Sequence, residues 1–569
     1  MIETTVVSLR LSEKALPALP DPNRWRALTV ILIAAFMVLL DTSIITNTLT
    51  TIQRDLGASY AEVQFVLTSY SVAFGTLLIT GGRLGDLYGR KRVFLLGLGG
   101  FTLTSALCGL AWSPESLIAF RVLQGLSGAV LFPQVASFIQ VLFPPAERPR
   151  AFGLQGAVVG LGIVTGPLLG GLFVSANFGG TLWRPVFLVN LPIGLLALML
   201  AARVVPESRS GHARGLDLFG VLLASLALFL LTYPLVQGRE QGWPLWLLVL
   251  LGSSLPVLVG FFRYQRRVGL RGGTPLIEPS LWSDRAFSVG TLITLVFQSG
   301  VLSFFVAMSL FLQAGLGFSP LRAAVALMAY QITTVIASLL SARLTARLGR
   351  NILLLGMLFL ALGVVAIMLT LRLVGPNFQG FELIPALIVG GLGFGFVVAP
   401  LQNVILERVD TQFAGSASGV LATIQQVGTA VGVALVGLIL FGQLAAGADA
   451  ASTRVVPPLE QTLGSLGLPQ TTVAAVITGF QTCYRDRSSQ YDPTNVPPSC
   501  QVPAAAVPTA QEDSVAEATA LAATQANEQN FLDALQVSLR YQLAVYALCF
   551  MLVWLLPSLP RASFKKAKP

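Results

Sequence analysis

Charge is scarce in this sequence: 11% of its 569 residues are charged, against about a quarter in soluble proteins, whereas 54% are hydrophobic. Water therefore cannot be the main solvent of the folded chain, and we expect the lipid bilayer to surround it. Histidine is scarcer still, since His212 is the only one, and there are four cysteines. These counts exclude a metal site built on a cluster of histidine and cysteine ligands.

Two signatures of soluble function are also missing. The phosphate-cradling pattern GxxxxGK[ST] does not occur, so we do not expect ATP to drive the protein directly. The net charge of +10 forms no basic stripe with interleaved aromatic residues, so we expect no nucleic-acid partner and assign the charge to membrane topology. No cofactor and no metal are expected, and an ion gradient must supply the energy.

Long apolar runs dominate what is present, and about 20 apolar residues suffice to cross the hydrocarbon core. Fourteen runs are predicted to span, at 27–49, 63–81, 93–112, 115–138, 151–174, 185–205, 216–236, 244–263, 287–313, 320–341, 351–373, 381–404, 414–441 and 541–558. They form an N-terminal six-helix bundle (27–205), two extra central spans (216–263) and a C-terminal six-helix bundle (287–441 with 541–558). The predicted fold class is an all-α polytopic membrane protein.

The distribution of basic residues predicts the orientation. An even number of spans puts both termini on one side, and a cytoplasmic N-tail (1–26) and C-tail (559–569) leave most of the 36 Lys and Arg residues on the inner face. The polar tract 443–540 then becomes a long extracytoplasmic loop, within which residues 511–540 lack Gly and Pro and are compatible with a helix.

The cysteines divide between two environments. Cys108 and Cys549 lie in apolar runs and are predicted to be packing residues. Cys483 and Cys500 share the long loop and are a candidate disulfide, because disulfides persist in extracytoplasmic compartments.

The two bundles carry related sequences. GRLGDLYGRK begins at Gly82 and ARLTARLGRN begins at Ala342, each between the second and third spans of its bundle, and Arg83 matches Arg343. Transporters are often built from two such related halves around a central site.

Four motifs follow in order along the first bundle. They are LLDTS around Asp41, GRLGDLYGRKR from Gly82, RVLQGLSGA from Arg121 and GAVVGLGIVTGPLLGG from Gly156. Together they resemble the signatures of the major facilitator superfamily, specifically its fourteen-span drug:proton antiporter branch, the EmrB/QacA type. The resemblance covers nearly the whole chain except the tails and the long loop.

The resemblance implies a function. It implies the major facilitator fold and a monomeric secondary transporter of the bacterial inner membrane, which exports drug-like lipophilic or monocationic small molecules in exchange for protons by alternating access. A dedicated exporter of an endogenous metabolite or lipid fits the same architecture. A membrane-embedded enzyme or sensor is less favoured, because the sequence has no cluster of catalytic groups.

Asp41 and Arg121 are the candidate proton-coupling residues. At 1.5 Å per residue, Asp41 lies about 21 Å from the inner boundary and Arg121 about 9 Å from the outer one. In a core of about 30 Å these depths coincide. A charge at this depth costs about 2.5 to 3.5 kcal/mol, so we expect the two residues to act together. The alternative is that Arg121 bonds backbone carbonyls and Asp41 caps a helix end.

The loop after the second span is a candidate cytoplasmic gating motif, consisting of Gly82, Asp86, Gly89, Arg90 and Lys91. Its charges are predicted to latch helix ends together and to part as the halves rock. Plain topogenic charge is the alternative for the basic residues.

The fifth span holds the antiporter motif residues Gly156, Gly160, Gly166, Pro167 and Gly170. Glycines permit close backbone approach and proline permits a bend, so the motif is predicted to shape a sealed contact between the halves. In the family this signature accompanies export.

Other polar residues within the spans are candidates for lining a cavity: Gln124, Asn190, Gln298, Gln331, Gln402, Asn403 and Gln425. Hydrogen bonding between helices is the alternative for each. Asp41 is the clear acid well inside a span, so a neutral or monovalent substrate is favoured over a divalent cation.

Overall fold

The computed structural model describes residues 21–45, 48–176, 181–210, 215–238, 241–375, 378–489, 496–500 and 511–557. Its helices are α1 (Arg24–Ile44), α2 (Leu49–Leu56), α3 (Tyr60–Tyr88), α4 (Arg90–Gly109), α5 (Pro114–Leu142), α6 (Arg148–Ala176), α7 (Pro185–Leu188), α8 (Asn190–Val204), α9 (Leu218–Gln237), α10 (Leu245–Leu270), α11 (Arg285–Leu310), α12 (Pro320–Leu348), α13 (Asn351–Val374), α14 (Ile384–Leu406), α15 (Ala414–Arg454), α16 (Val456–Ser465), α17 (Gln470–Ser488) and α18 (Glu512–Val553). His212, the C-tail and most of the N-tail lie outside the described residues.

The predicted all-α membrane fold is confirmed. Within the described ranges, 14 helical segments are long and apolar enough to cross a membrane. They are α1, α3, α4, α5, α6 and the α7–α8 pair in the first bundle, α9 and α10 in the middle, and α11 to α15 with α18 in the second.

The two bundles meet most extensively along α6 with α12 and α3 with α15, and also where α6 contacts α14 and α5 contacts α15. Small residues allow the close approach. A Cβ added to Gly82 of α3 would overlap the backbone of Gly415 on α15, and a Cβ added to Gly156 of α6 would meet Ser338 of α12 at 3.0 Å. Without a hydrophobic drive inside the bilayer, this backbone proximity is a main source of helix association.

Helices α9 and α10 pack against each other and form what we call the central hairpin. Helix α9 also packs along both α3 and α15, so it lies across the seam between the halves. A contact between Ser225 Oγ and the carbonyl of Thr76, at 3.3 Å, ties it to α3.

The first span is shorter than predicted. Helix α1 ends at Ile44, and a separate short helix, α2, follows from Leu49. The run predicted at 27–49 ends in polar residues, and Thr and Asn side chains are of the type that competes for backbone hydrogen bonds. Thr48 does so, since its hydroxyl donates to the carbonyl of Ile45 at 2.8 Å.

The helix expected over 511–540 is confirmed, whereas the part of the predicted long loop before it is largely helical within the described residues and not the loop that its polarity suggested. Helix α15 continues to Arg454, α16 and α17 follow, and α18 begins at Glu512 and continues without a break into the last span. At 1.5 Å per residue, the 41 residues of α15 extend about 60 Å, twice the hydrocarbon thickness. Alanine is abundant here and is the strongest helix former, which explains the extension.

The protruding part of these helices forms a helical subdomain with its own small core, which includes Leu459, Leu463 and Val476. A disulfide joins Cys483 to Cys500, and the Cys108 and Cys549 thiols are free and buried. Ion pairs Arg485–Asp449 and Arg454–Asp533 add surface contacts.

Candidate functional site

A group of polar side chains lies inside the first bundle, and we name it the Asp41 cluster. It consists of Asp41 on α1, Tyr70 on α3, Ser105 on α4, Arg121 and Gln124 on α5, and Asn190 on α8. Five helices of one half therefore contribute to it.

Asp41 is the centre of the cluster and receives three hydrogen bonds. Arg121 Nη1 donates to Oδ2 at 2.7 Å, and Gln124 Nε2 and Asn190 Nδ2 donate to Oδ1 at 2.8 and 2.9 Å. Asp41 is 0% and Arg121 1% exposed. All three neighbours donate to the carboxyl group, and both of its oxygens are used.

The neighbours of Asp41 are themselves held in place. Arg121 Nη1 also donates to Gln124 Oε1 at 2.8 Å, which closes a ring of three side chains. Asn190 Nδ2 contacts Ser105 Oγ at 3.0 Å, and that hydroxyl donates to the carbonyl of Phe187. The cluster is thus fixed on α4, α5 and α8 at once.

Arg121 has a further partner in an aromatic ring. Its guanidinium carbon lies 4.2 Å from the centroid of the Tyr70 ring, and Nε donates to the carbonyl of Val66 at 3.3 Å. A cation over an aromatic face is stabilised by about 2 kcal/mol when it is shielded from water. Arg121 therefore keeps favourable contacts even when its bond to Asp41 is broken.

The two buried charges of the Asp41–Arg121 pair depend on each other. Removing one partner of a buried ion pair costs about 3 to 5 kcal/mol, because the remaining charge is left without compensation. Neutralising Asp41 has the same electrostatic consequence for Arg121. A proton on Asp41 would therefore favour any conformation that gives Arg121 another partner or water.

A second charged site joins the two halves, and we name it the latch. Asp86, on α3 of the first half, is 0% exposed and lies 2.5 Å from Arg90 Nη2. Its oxygens also accept from the backbone N–H groups of Gly415, at 3.0 Å, and Ser416, at 2.8 Å. These groups begin α15 of the second half, and a helix N-terminus attracts a carboxylate.

Arg90 connects the latch to several elements. It donates to Ser137 Oγ on α5 at 2.8 Å, to Ser208 Oγ at 2.9 Å and to the carbonyl of Thr411 at 2.9 Å. The adjacent Lys91 lies elsewhere, with its ammonium on the carbonyl of Ala202. We call the end of the molecule that carries Asp86 the latch end.

Gly82 and Gly89 support the latch in different ways. Gly82 lies against α15, as described above, whereas Gly89 ends α3 with φ 102°, a conformation that disfavours side chains. The sharp turn at Gly89 lets Arg90 start α4 while its side chain returns to Asp86.

A second contact between the halves lies at the same end. Gln140 Nε2 donates to the carbonyl of Leu406, and Arg148 donates to the carbonyl of Gln140 at 2.8 Å. Burial raises the pKa of Glu407, while Arg408 and Arg148 act in the opposite direction. The halves are therefore joined at the latch end by two separate polar contacts.

The residues of the antiporter motif face two different neighbours. Gly156 and Gly160 meet α12 of the other half, whereas Cβ atoms at Gly166 and Gly170 would overlap α1 of the same half. Pro167 lies inside α6. The predicted contact between halves thus describes the first two glycines, while the last two set the distance between α6 and the helix that carries Asp41.

The candidate cavity residues do not form one group. Gln124 and Asn190 belong to the Asp41 cluster. Gln298, Gln331, Gln402, Asn403 and Gln425 lie on α11, α12, α14 and α15 of the second half. Throughout the described ranges no hydrogen bond joins these five side chains to one another, so their relation to substrate stays a prediction.

Several residues of these sites were not singled out from the sequence. They are Tyr70, Ser105, Gln140, Arg148 and Ser416. One signal was present for Tyr70: it occupies the same place before Arg83 that Tyr330 occupies before Arg343. For the others, a lone polar residue in an apolar helix does not reveal its partner.

The chain is similar to known membrane transporters over most of its length. The family model described as Major Facilitator Superfamily matches residues 31–433. The chain is 40% identical to the "Probable actinorhodin transporter" of Streptomyces coelicolor over 543 residues, which cover 95% of this chain and 93% of that protein. It is 31% identical to the "Tetracenomycin C resistance and export protein" of Streptomyces glaucescens, with 73% and 76% covered.

A solved structure shares the fold at low sequence identity. The human organic anion transporter MFSD10 superposes with a TM-score of 0.55 at 16% identity, covering 74% of this chain and 94% of that one.

Proposed function

We propose that this chain, which belongs to the major facilitator superfamily, is a proton-coupled antiporter of the fourteen-span type that exports antibiotic-like small molecules. Because the chain belongs to this family, it is a transporter rather than an enzyme. The relatives supply the substrate class, because those compared above are named for the transport of, or resistance to, actinorhodin and tetracenomycin C.

The observation that carries the proton coupling is the fully buried Asp41–Arg121 pair. A carboxylate that binds a proton changes its charge and its hydrogen bonds at once, and Asp41 would exchange three accepted bonds for a different set. Because Arg121 retains Tyr70 and the Val66 carbonyl, the pair can separate without leaving the arginine wholly unpartnered. These properties suit a site that loads and releases a proton in turn.

The latch and the second polar contact suit a transporter that alternates between two closures. In the conformation described, the halves are joined at the latch end through Asp86 and through Gln140. We propose that protonation of Asp41 from the opposite end weakens its hold on α5 and α8 and favours opening at the latch end. Substrate would then enter there as the proton leaves.

The proposed transport cycle also requires a membrane and an orientation within it. We propose that the protein acts as a monomer in the bacterial inner membrane, with the latch end and both termini facing the cytoplasm. The helical subdomain then lies outside, where its disulfide is chemically stable.

Transport by purified protein in liposomes tests the proposal. We expect an imposed pH gradient to drive ethidium against its concentration gradient for the wild type and not for Asp41→Asn, while downhill ethidium equilibration persists in the variant. Asp284→Asn is the matched control, because Asp284 caps α11 and asparagine caps a helix equally well. Gradient-driven accumulation by Asp41→Asn at the wild-type rate would move the coupling site elsewhere.

A dedicated exporter of one compound made by the cell is the second candidate. It is favoured by the near full-length match to a relative named for a single compound, actinorhodin. Absence of ethidium transport by the wild type, together with transport of one such compound, would select it.

A further inference from the structure

The central hairpin is connected to the latch through the segments that flank it. Ser208, which precedes the hairpin, binds Arg90 with both its hydroxyl and its carbonyl, and the N–H of Ser210 donates to the carbonyl of Asp86 at 3.2 Å. On the other side, the carbonyl of Leu276 accepts from Ser416 Oγ at 3.1 Å. Residues 271–284 connect α10 to α11, and because they follow the hairpin we call them the second linker. Both flanking segments therefore reach the same charged site.

Gln265 on α10 fixes the second linker. Its Oε1 accepts from the backbone N–H groups of Leu276, at 2.7 Å, and Ile277, at 3.3 Å. Its Nε2 donates to Asp217 Oδ2, at 2.8 Å, and Asp217 caps the start of α9. Gln265 is 3% exposed, so water does not compete for these bonds. One amide thus joins both helices of the hairpin to the linker.

The linker in turn touches the latch directly. Leu276 is fully buried and its carbonyl binds the hydroxyl of Ser416, while the N–H of Ser416 binds Asp86. A continuous path of hydrogen bonds therefore runs from Asp217 through Gln265, Leu276 and Ser416 to Asp86.

This path is specific to one conformation. Asp86 belongs to the first half and Ser416 to the second, so their contact exists only while the latch end is closed. The hairpin lies across the seam and touches α3 and α15, so it can hold the linker against α15 in that state. A bond made in one of two states shifts their populations toward that state.

We propose that Gln265 is a positioning residue for the latch, and that the central hairpin acts through it to stabilise closure of the latch end. The inference rests on the proposed alternating access. It assigns a role to α9 and α10, which lie outside both six-helix bundles. The hydrogen bonds of Gln265 go to Asp217, Leu276 and Ile277, none of which belongs to the Asp41 cluster. Gln265 acts by keeping the second linker where Ser416 meets Leu276 and Asp86.

Accessibility of a buried cysteine at the seam tests this inference. Ser338 on α12 is 0% exposed and lies against Gly153 and Gly156 of α6, so Ser338→Cys is a nearly isosteric reporter that is shielded while the halves are in contact. A membrane-impermeant thiol reagent is applied to the latch end in inside-out vesicles. The same chain without the reporter gives the background from Cys108 and Cys549, which are both 0% exposed.

Gln265→Met keeps the size and removes the hydrogen bonds. We expect it to raise the labelling rate of the reporter about tenfold, the factor that corresponds to 1.4 kcal/mol, because all three hydrogen bonds of the Gln265 side chain are lost. Gln237→Met is the matched control: Gln237 is 2% exposed on the same hairpin, but it bonds Thr68 at the opposite end. The control is expected to label as the wild type does.

Ser416→Ala provides a second variant in case Gln265→Met folds poorly. It removes the hydroxyl that meets Leu276 and leaves the backbone N–H on Asp86. We expect a rise of about threefold, and the double variant to label less than the product of the single effects, because the two bonds lie on one path.

The outcomes separate this inference from the proposed function. If the wild-type reporter responds to an imposed pH gradient but Gln265→Met and Ser416→Ala label at the wild-type rate, the positioning role is wrong and alternating access stands. If the reporter never responds to the gradient in any variant, alternating access fails and the inference falls with it. A rise in Gln237→Met equal to that in Gln265→Met would indicate general loosening and also overturn it.

Discussion

Replacing Gly166 with alanine probes how closely α6 approaches the helix that carries Asp41. A Cβ at Gly166 would lie 2.7 Å from the Cβ of Ser43 and 2.8 Å from the backbone N of Ile44. Carbon contacts are comfortable at about 3.5 to 4.0 Å, so α6 and α1 must separate by roughly 1 Å. Because Ser43 lies two residues after Asp41, that movement also displaces the carboxylate.

Two free-energy terms oppose each other in this variant. Overpacking a tight contact costs about 1 to 3 kcal/mol. Alanine is favoured over glycine in a helix by up to about 1 kcal/mol, which partly offsets the clash. Gly171→Ala carries only the second term, because Gly171 lies on the same helix and a Cβ there meets nothing within 4 Å. Comparing the two variants therefore isolates the cost of overpacking. We therefore expect Gly166→Ala to be less stable than Gly171→Ala by about 1 to 3 kcal/mol.

Two assays measure the result. Thermal unfolding of the purified variants, followed by tryptophan fluorescence, should place Gly166→Ala below both the wild type and Gly171→Ala. Gradient-driven ethidium transport in liposomes should fall for Gly166→Ala and remain at the wild-type level for Gly171→Ala, because only the former moves Asp41 relative to Arg121.

Equal behaviour of Gly166→Ala and Gly171→Ala would contradict this expectation. Equal unfolding temperatures would mean that α6 and α1 do not approach closely at Gly166. Reduced stability with full transport would mean that the position of α1 does not control coupling, and that Gly166 serves packing alone.

Two further predictions concern the end of the molecule opposite the latch end. Replacing both Cys483 and Cys500 by serine should destabilise the helical subdomain by about 3 kcal/mol, from the entropy of closing a loop with a sequence separation of 17, and limited proteolysis should cut there first while transport persists; equal protease resistance would contradict this. Burial raises the pKa of Asp55, but hydrogen bonds from Arg184 and from the Trp183 indole outweigh it, so this pKa lies below its ordinary value. The contact therefore adds stability above the ordinary carboxyl pKa of about 3.9 and loses it as the pH falls through the lower folded-state value. Asp55→Asn should cost at most about 1 kcal/mol at neutral pH, and the difference in unfolding temperature from the wild type should begin to shrink below about pH 4 and disappear once the pH is below the folded-state pKa of Asp55; a difference that does not shrink as the pH falls below about 4 would contradict the assignment.

The sequence by itself determined the features that depend on local composition. Each span has its own run of about 20 apolar residues in the sequence, so the order of six, two and six helices could be predicted without any knowledge of packing. Asp41 and Arg121 could be placed at one depth, because helix rise is constant. The absence of Gly and Pro also indicated the helix over 511–540. Over 443–488 the loop prediction failed because polarity was interpreted as lack of structure, whereas alanine content favours helix.

Only the tertiary structure decided which faces of these helices meet. Gly156 and Gly166 are ten residues apart, which is 2.8 turns at 3.6 residues per turn, so they point about 80° apart and meet different neighbours. The sequence supplies that angle but not the identity of either neighbour. The same holds for Asn190, which lies 149 positions from Asp41, and for Ser416, which lies 330 from Asp86.

The path through Gln265 shows this division most clearly. A glutamine near the end of an apolar helix is an ordinary residue in the sequence, and nothing local distinguishes it from Gln237 on the same hairpin. Its role depends on where the second linker passes and on the rotation of α10, which are set by the packing of α9 against α3 and α15. Helix rotation is a property of the whole assembly of helices, because each helix turns to bury the face that best fits its neighbours.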